Sequence, residues 1–127
     1  MFRVYDNIKG EWVIGDIYMA LNGDLVMMKK VMGLARYPIT LDSSRYVCHI
    51  SIDLQDVNNE EVFEGDYIRA RVSEDKEVVG LVCYAHELSS YIILCEDSNE
   101  FYTLGSNVSS EIKIIGNVFD GYGDKES

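Results

Sequence analysis

The chain has 127 residues, 47% hydrophobic and 11% aromatic, a length that supports one domain with its own core and a composition too apolar for intrinsic disorder. Its formal charge of −11 is uneven: residues 1–50 carry six basic and five acidic side chains, residues 51–127 five basic and seventeen acidic. A surface of that sign repels phosphate backbones, so nucleic-acid binding is disfavoured, and no stretch approaches the about 20 apolar residues that a membrane-spanning helix needs.

No basic segment followed by a short apolar run opens the chain, so it reads as cytoplasmic, with no membrane partner. Cys48, Cys83 and Cys95 are odd in number and sit in apolar, strand-like runs, which suits reduced core thiols better than a disulfide framework.

In chain order, Phe2 to Tyr5 alternates weakly, Asn7 to Gly10 supplies a turn, and Glu11 to Met19 reads as the second strand of a hairpin. Leu21-Asn22-Gly23-Asp24 is a stronger turn signal, because Asn-Gly readily takes positive φ, and Leu25 to Met32 is its return strand. Gly33 to Arg45 loses periodicity, holds the only proline, Pro38, and reads as a loop or crossover between two halves. Tyr46 to Ile52 alternates cleanly, which predicts Tyr46, Cys48, Ile50 and Ile52 on one face and Val47, His49 and Ser51 on the other.

Asp53 to Glu61 is a polar surface turn in which Asn58-Asn59 can adopt the left-handed conformation. After Glu64-Gly65-Asp66, the strand Tyr67 to Val72 is expected to put Ile68, Ala70 and Val72 inward and Tyr67, Arg69 and Arg71 outward, with Ser73 to Lys76 closing a hairpin. Glu77–Ala85, Tyr91–Cys95, Glu100–Leu104 and Glu111–Phe119 are further strands, and Gly80 and Gly116 within them mark bulges or barrel corners. Strands at this spacing predict a barrel or sandwich, with a frayed tail from Gly121.

Three segments carry a family resemblance: FRVYD at the amino terminus, the central DLQDVNNEEVFEGDYI, and IIGNVFD from Ile114 to Asp120. In that order they resemble the YopX family of phage and prophage proteins, whose pattern is a FRAWD-type opening and a GLxDxxGxxIYEGDIV signature. The chain departs from the pattern at two glycines, replaced by Asp53 and Asn59; Asn59 still suits a positive-φ turn, whereas Asp53 implies an altered strand exit. The resemblance implies a mainly β fold with a small SH3-like barrel and an amino-terminal β-hairpin extension. On this chain that means an extension and crossover over 1–45, a barrel over 46–120 and a tail over 121–127. It also implies phage or prophage origin and self-association, and it implies no enzyme activity. Asp56, Glu64, Gly65, Asp66, Gly116 and Asn117 are the matching signature positions, and their residue types suit turns better than ligands.

The chemistry-bearing constellations point the same way. Cys83 and His86, with Cys48, His49 or Cys95, would have to converge on a zinc ion, but residues three apart on a strand face opposite ways. Glu60, Glu61, Glu64 and Asp66 flank a turn with no calcium-loop or hydrolase spacing, and no phosphate loop, serine elbow or dinucleotide pattern occurs. No cofactor, metal or catalytic residue is therefore expected. The Tyr67, Arg69 and Arg71 stripe could contact a ligand, but pairing with Glu74, Glu77 or another acidic neighbour is the commoner role.

The expectation is a noncatalytic accessory protein that forms a homo-oligomer, with the apolar Met19, Leu21, Leu25, Met27 and Met28 covered by another subunit or packed on the barrel. The alternative is an inhibitor whose acidic face binds a basic host protein, conceivably by imitating nucleic acid.

Overall fold

The structure, a computed structural model, describes residues 1–31, 35–104 and 111–121. The chain divides into two compact units, an amino-terminal one of Phe2–His49 and a carboxy-terminal one of Ile50–Ser127 with Met1. Among the described residues the only helix is a 3-10 turn at His86–Leu88, and no helix is long and apolar enough to cross a membrane.

The amino-terminal unit begins with β1 (Phe2–Asp6) and β2 (Glu11–Trp12), an antiparallel hairpin with Tyr5 opposite Trp12. Its turn closes through Gly10, at φ 69°, whose NH donates to the Asp6 carbonyl at 2.8 Å. β3 (Ile17–Met19), β4 (Leu25–Val31) and β5 (Ala35–Thr40) form a separate three-stranded antiparallel sheet. The expected Asn22-Gly23 hairpin joins β3 to β4, with Gly23 at φ 92°.

Two expectations are corrected here. Glu11 to Met19 is two strands in two sheets, interrupted where Gly15 takes φ 154°. The stretch read as a loop contains β5, with Pro38 opposite Met28. A proline cannot donate to a ladder, but β5 pairs with β4 alone and so lies at the sheet edge, where that loss is tolerated. Residues 33 and 34 of that predicted loop lie outside the described residues, as do residue 32, the end of the predicted return strand, and the expected frayed tail beyond Gly121.

β6 (Tyr46–Gln55) begins in the amino-terminal unit and ends in the carboxy-terminal one, where it pairs with β7 (Glu61–Phe63). A curled five-stranded antiparallel sheet follows, in the order β11-β10-β9-β8-β12. Its strands are β8 (Asp66–Ser73), β9 (Lys76–Ala85), β10 (Ser90–Cys95), β11 (Glu100–Thr103) and β12 (Ile112–Asn117). The core of this unit is Val62, Ile68, Ala70, Val82, Ile93, Cys95 and Ile112, with Ile52 and Leu54 packed against it. Ile68 and Ala70 point inward and Tyr67, Arg69 and Arg71 lie half-exposed, as the β8 alternation predicts.

The two faces predicted for β6 hold as far as Ser51, with His49 and Ser51 buried on one side and Ile50, 42% exposed, on the other; Ile52, expected on the face of Ile50, instead reaches the core. The phase switches at a register shift between Ser51 and Gln55, where Asp53 takes φ 62° and its NH donates to Ser51 Oγ at 3.1 Å. Alternation gives a period and no phase, and a bulge exchanges one face for the other. Of the two glycines expected to mark irregularities, Gly116 does so, with a register shift between Ile114 and Gly116, whereas Gly80 pairs in regular register with Ile68 and marks a close approach. At Gly80 an added Cβ would lie 2.5 Å from Ile93 Cγ2 and 2.7 Å from the Leu94 carbonyl oxygen.

Candidate interaction surface

The signature residues hold turns together. Asp56, 6% exposed, ends β6: its Oδ1 accepts from the NH groups of Asn58 (2.8 Å) and Glu60 (3.0 Å), and its Oδ2 from that of Ile114 in β12 (3.2 Å). Burial pushes this carboxyl's pKa up, but the donors from Glu60, Ile114 and Asn58 outweigh it, and the net shift is downward. Asn59 completes the turn at φ 63°.

Asp66, 1% exposed, accepts from the Phe63 NH at 2.9 Å across the Glu64-Gly65 turn, where Gly65 sits at φ 88°. Glu64 Oε1 accepts from the Ile50 NH at 3.2 Å, and the backbones of the same two residues also bond. Gly116 marks the β12 bulge. Asn117 Oδ1 accepts from the NH groups of Phe119 (2.9 Å) and Asp120 (3.0 Å), which ends β12 two residues before the predicted Phe119.

The Tyr67, Arg69 and Arg71 stripe is set among carboxylates. Arg71 Nε donates to Glu111 Oε2 at 2.9 Å, Arg71 Nη1 to the Glu74 carbonyl at 3.0 Å, and Arg71 and Arg69 each approach Glu77. Hydrogen bonding to Glu111, then the charges of Glu111 and Glu77, raises the Arg71 pKa. The Tyr67 hydroxyl donates to Glu96 at 3.4 Å. Among the described residues no group of three or more His, Cys, Asp or Glu is arranged to hold a metal ion. Cys48, Cys83 and Cys95 form no disulfide, and burial pushes Cys83 and Cys95 upward in pKa, away from the reactive thiolate.

A groove of about 900 Å³ lies within the amino-terminal unit, between the β1–β2 hairpin with its outgoing chain and the β3–β5 sheet. Trp12, Val13 and Ile14 line one side, and Met27, Ile39 and Leu41 another. At its base Asp6 Oδ1 and Oδ2 accept from Arg45 Nε (2.9 Å) and Nη2 (2.8 Å), while Oδ1 also accepts from the NH groups of Ile8 and Lys9. The Arg45 bond, ahead of the two backbone donors, holds the Asp6 carboxyl far below the ordinary carboxylate range. Asp16 and Arg36 form an ion pair beside it.

The register places apolar side chains on both faces of the β3–β5 sheet. Directly opposed residues share a face, so Ile17, Met27 and Ile39 stand on one side and Tyr18, Val26, Met28 and Pro38 on the other. None of the described side chains in these three strands is buried. Tyr18, Met19 and Tyr37 are exposed, Leu21 at the hairpin tip fully so, and Leu25, Met27 and Met28 are half-exposed. The Met19 to Met28 cluster was visible in composition. The groove and the Asp6–Arg45 pair were not, since 39 residues separate the partners and only folding brings them together.

No family model matches the chain, and no curated protein matches it. Among solved structures it is similar to the crystal structure of the protein YopX from Bacillus subtilis, with a TM-score of 0.60 and 12% sequence identity over 93% of this chain and 91% of that one. The chain thus has a YopX-like fold, as the three sequence segments imply.

Proposed function

We propose that this is a noncatalytic phage or prophage accessory protein of the host cytoplasm that works by assembling with copies of itself through its amino-terminal sheet. The observation that carries the reading is the β3–β5 sheet, apolar on both faces and with no buried side chain among those described. Sheets are stable when at least one apolar face is covered, and contiguous exposed apolar surface marks association sites. Edge strands β3 and β5 add unpaired backbone donors and acceptors that a second copy can satisfy. Phage origin is supported by the family resemblance of the three sequence segments alone. In the carboxy-terminal unit, the close strand approach at Gly80 and the bulge at Gly116 support closure into an SH3-like barrel.

Gel filtration of a Met19→Lys, Leu21→Asp variant tests this reading. Both side chains are exposed, so the variant folds with an unchanged melting profile in the monomeric state and elutes later than the wild type. Equal elution of the two at every concentration counts against the sheet as the interface.

A second reading is favoured by charge. The carboxy-terminal unit carries seventeen acidic and five basic side chains, against five and six in the amino-terminal unit. Such a unit attracts a basic host protein by electrostatic steering, an attraction that salt screens where the charges are exposed.

A further inference from the structure

We propose that a cleft on the carboxy-terminal unit receives a lysine or arginine side chain from an extended segment of a basic partner protein. The proposal rests on the second reading above and gives it a site.

Two hollows adjoin there. One, of about 340 Å³, is lined by Ile52, Leu54, Tyr84, Tyr91 and Leu104 with Ser89 and Ser90; the other is lined by Asp53, Leu54, Gln55 and Glu61. Leu54 lines both, and Asp53 of the second lies near enough to Tyr91 of the first for its charge to act on the Tyr91 hydroxyl.

The strand pairing explains the aromatic side. Tyr84 of β9 stands directly opposite Tyr91 of β10, with ring centroids 5.0 Å apart at 70°, and the His86 ring lies 5.0 Å from Tyr84 on the turn that follows. Tyr84 is nonetheless 39% exposed, so a large ring is held at the surface by its neighbours. The bulge of β6 explains the acidic side: the positive φ of Asp53 sets Ile52 and Leu54 against the core and leaves Asp53 and Gln55 exposed. Burial, then the charge of Glu64, the neighbouring Tyr84 and the charge of Asp53, raises the Tyr91 hydroxyl pKa.

A long basic side chain has matching parts. Its aliphatic stem covers apolar surface such as Ile52 and Leu54 while its head stays polar, and a cation is attracted both to an aromatic face and to carboxylates. The surrounding unit, net −12, favours a segment carrying further positive charges.

Fluorescence anisotropy with a labelled peptide of alternating alanine and lysine, at about 150 mM salt so that diffuse attraction is screened, tests the proposal. The wild type binds it, Tyr84→Ala weakens binding about fivefold or more, and an Asp53→Asn, Glu61→Gln double variant weakens it further. Asn tolerates positive φ, so the double variant keeps the bulge. Tyr84→Leu, which retains apolar cross-strand packing but lacks the ring, decides the matter if Tyr84→Ala fails to fold, with the same loss expected. Equal binding by wild type and Tyr84 variants overturns the cleft and leaves the acidic-face reading standing, whereas no binding by the wild type overturns both.

Discussion

Asp6 accepts four hydrogen bonds, two from Arg45 and two from the turn that follows β1, and Asp56 accepts three from backbone NH groups. Both carboxyls have folded-state pKa values below their ordinary one, so the folded chain binds fewer protons than the unfolded chain as pH falls through about 4. Their contribution to stability is therefore complete above about pH 5 and is lost as pH falls toward the folded values. His49 titrates higher: burial, then the charge of Arg3, lowers its pKa, so it adds stability above about pH 6.5 that is lost as pH falls through its folded value. Urea midpoints measured from pH 8 to pH 3 are expected to show two declines, the upper one flattened by His49→Asn and the lower one by Asp6→Asn.

Asp53 and Asn59, the two departures from the family's glycines, take φ 62° and 63°, a region that glycine occupies without steric cost. The altered strand exit implied by Asp53 is instead a bulge, after which β6 continues to Gln55. Asp53→Gly is expected to be neutral or stabilising by up to about 1 kcal/mol, and Asp53→Val destabilising by about 1–2 kcal/mol, in equilibrium denaturation. Asp56→Ala should cost about 3 kcal/mol, because it leaves the Asn58, Glu60 and Ile114 donors without their acceptor.

At the scale of elements, β8 and β9 show how a sequence fixes a sheet. The Ser73–Lys76 turn sets the register, Ile68 opposes Gly80, and the missing side chain there lets β10 lie close. Gly80→Ala would place a carbon against the Leu94 carbonyl, which cannot rotate away, so a loss of about 3 kcal/mol is expected from thermal or urea denaturation. Turns and two-sided strands were legible because each is written locally, in Asn22-Gly23, in Glu64-Gly65-Asp66 and in the β8 alternation. β5 was not, since Pro38 reads as a breaker unless the strand is known to lie at an edge. Which face of β6 turns inward was not legible for a related reason. Its inward residues, His49 and Ser51, are polar, and what accommodates them is distant: the Trp12 ring, 6.2 Å from the His49 ring, and the Met1 carbonyl, which accepts from the Ser51 NH.

At the scale of the molecule, the two units divide the protein's physical tasks. The carboxy-terminal unit encloses a core that includes Val62, Ile68, Val82 and Ile93 and carries a net charge of −12, against +1 on the amino-terminal unit. The amino-terminal unit holds an ion-paired hairpin and a sheet with apolar faces open. Charge asymmetry and the apolar Met19 to Met28 cluster could be read directly from residue order, but the β3–β5 register that distributes apolar side chains to both faces could not.

Self-assembly through that sheet is tested most directly by sedimentation equilibrium of the unmodified 14.4 kDa chain at micromolar concentrations. The account predicts a mass that is an integer multiple of the chain's own and that falls toward it only on dilution. A mass equal to one chain at every concentration, with the fold intact, would contradict it.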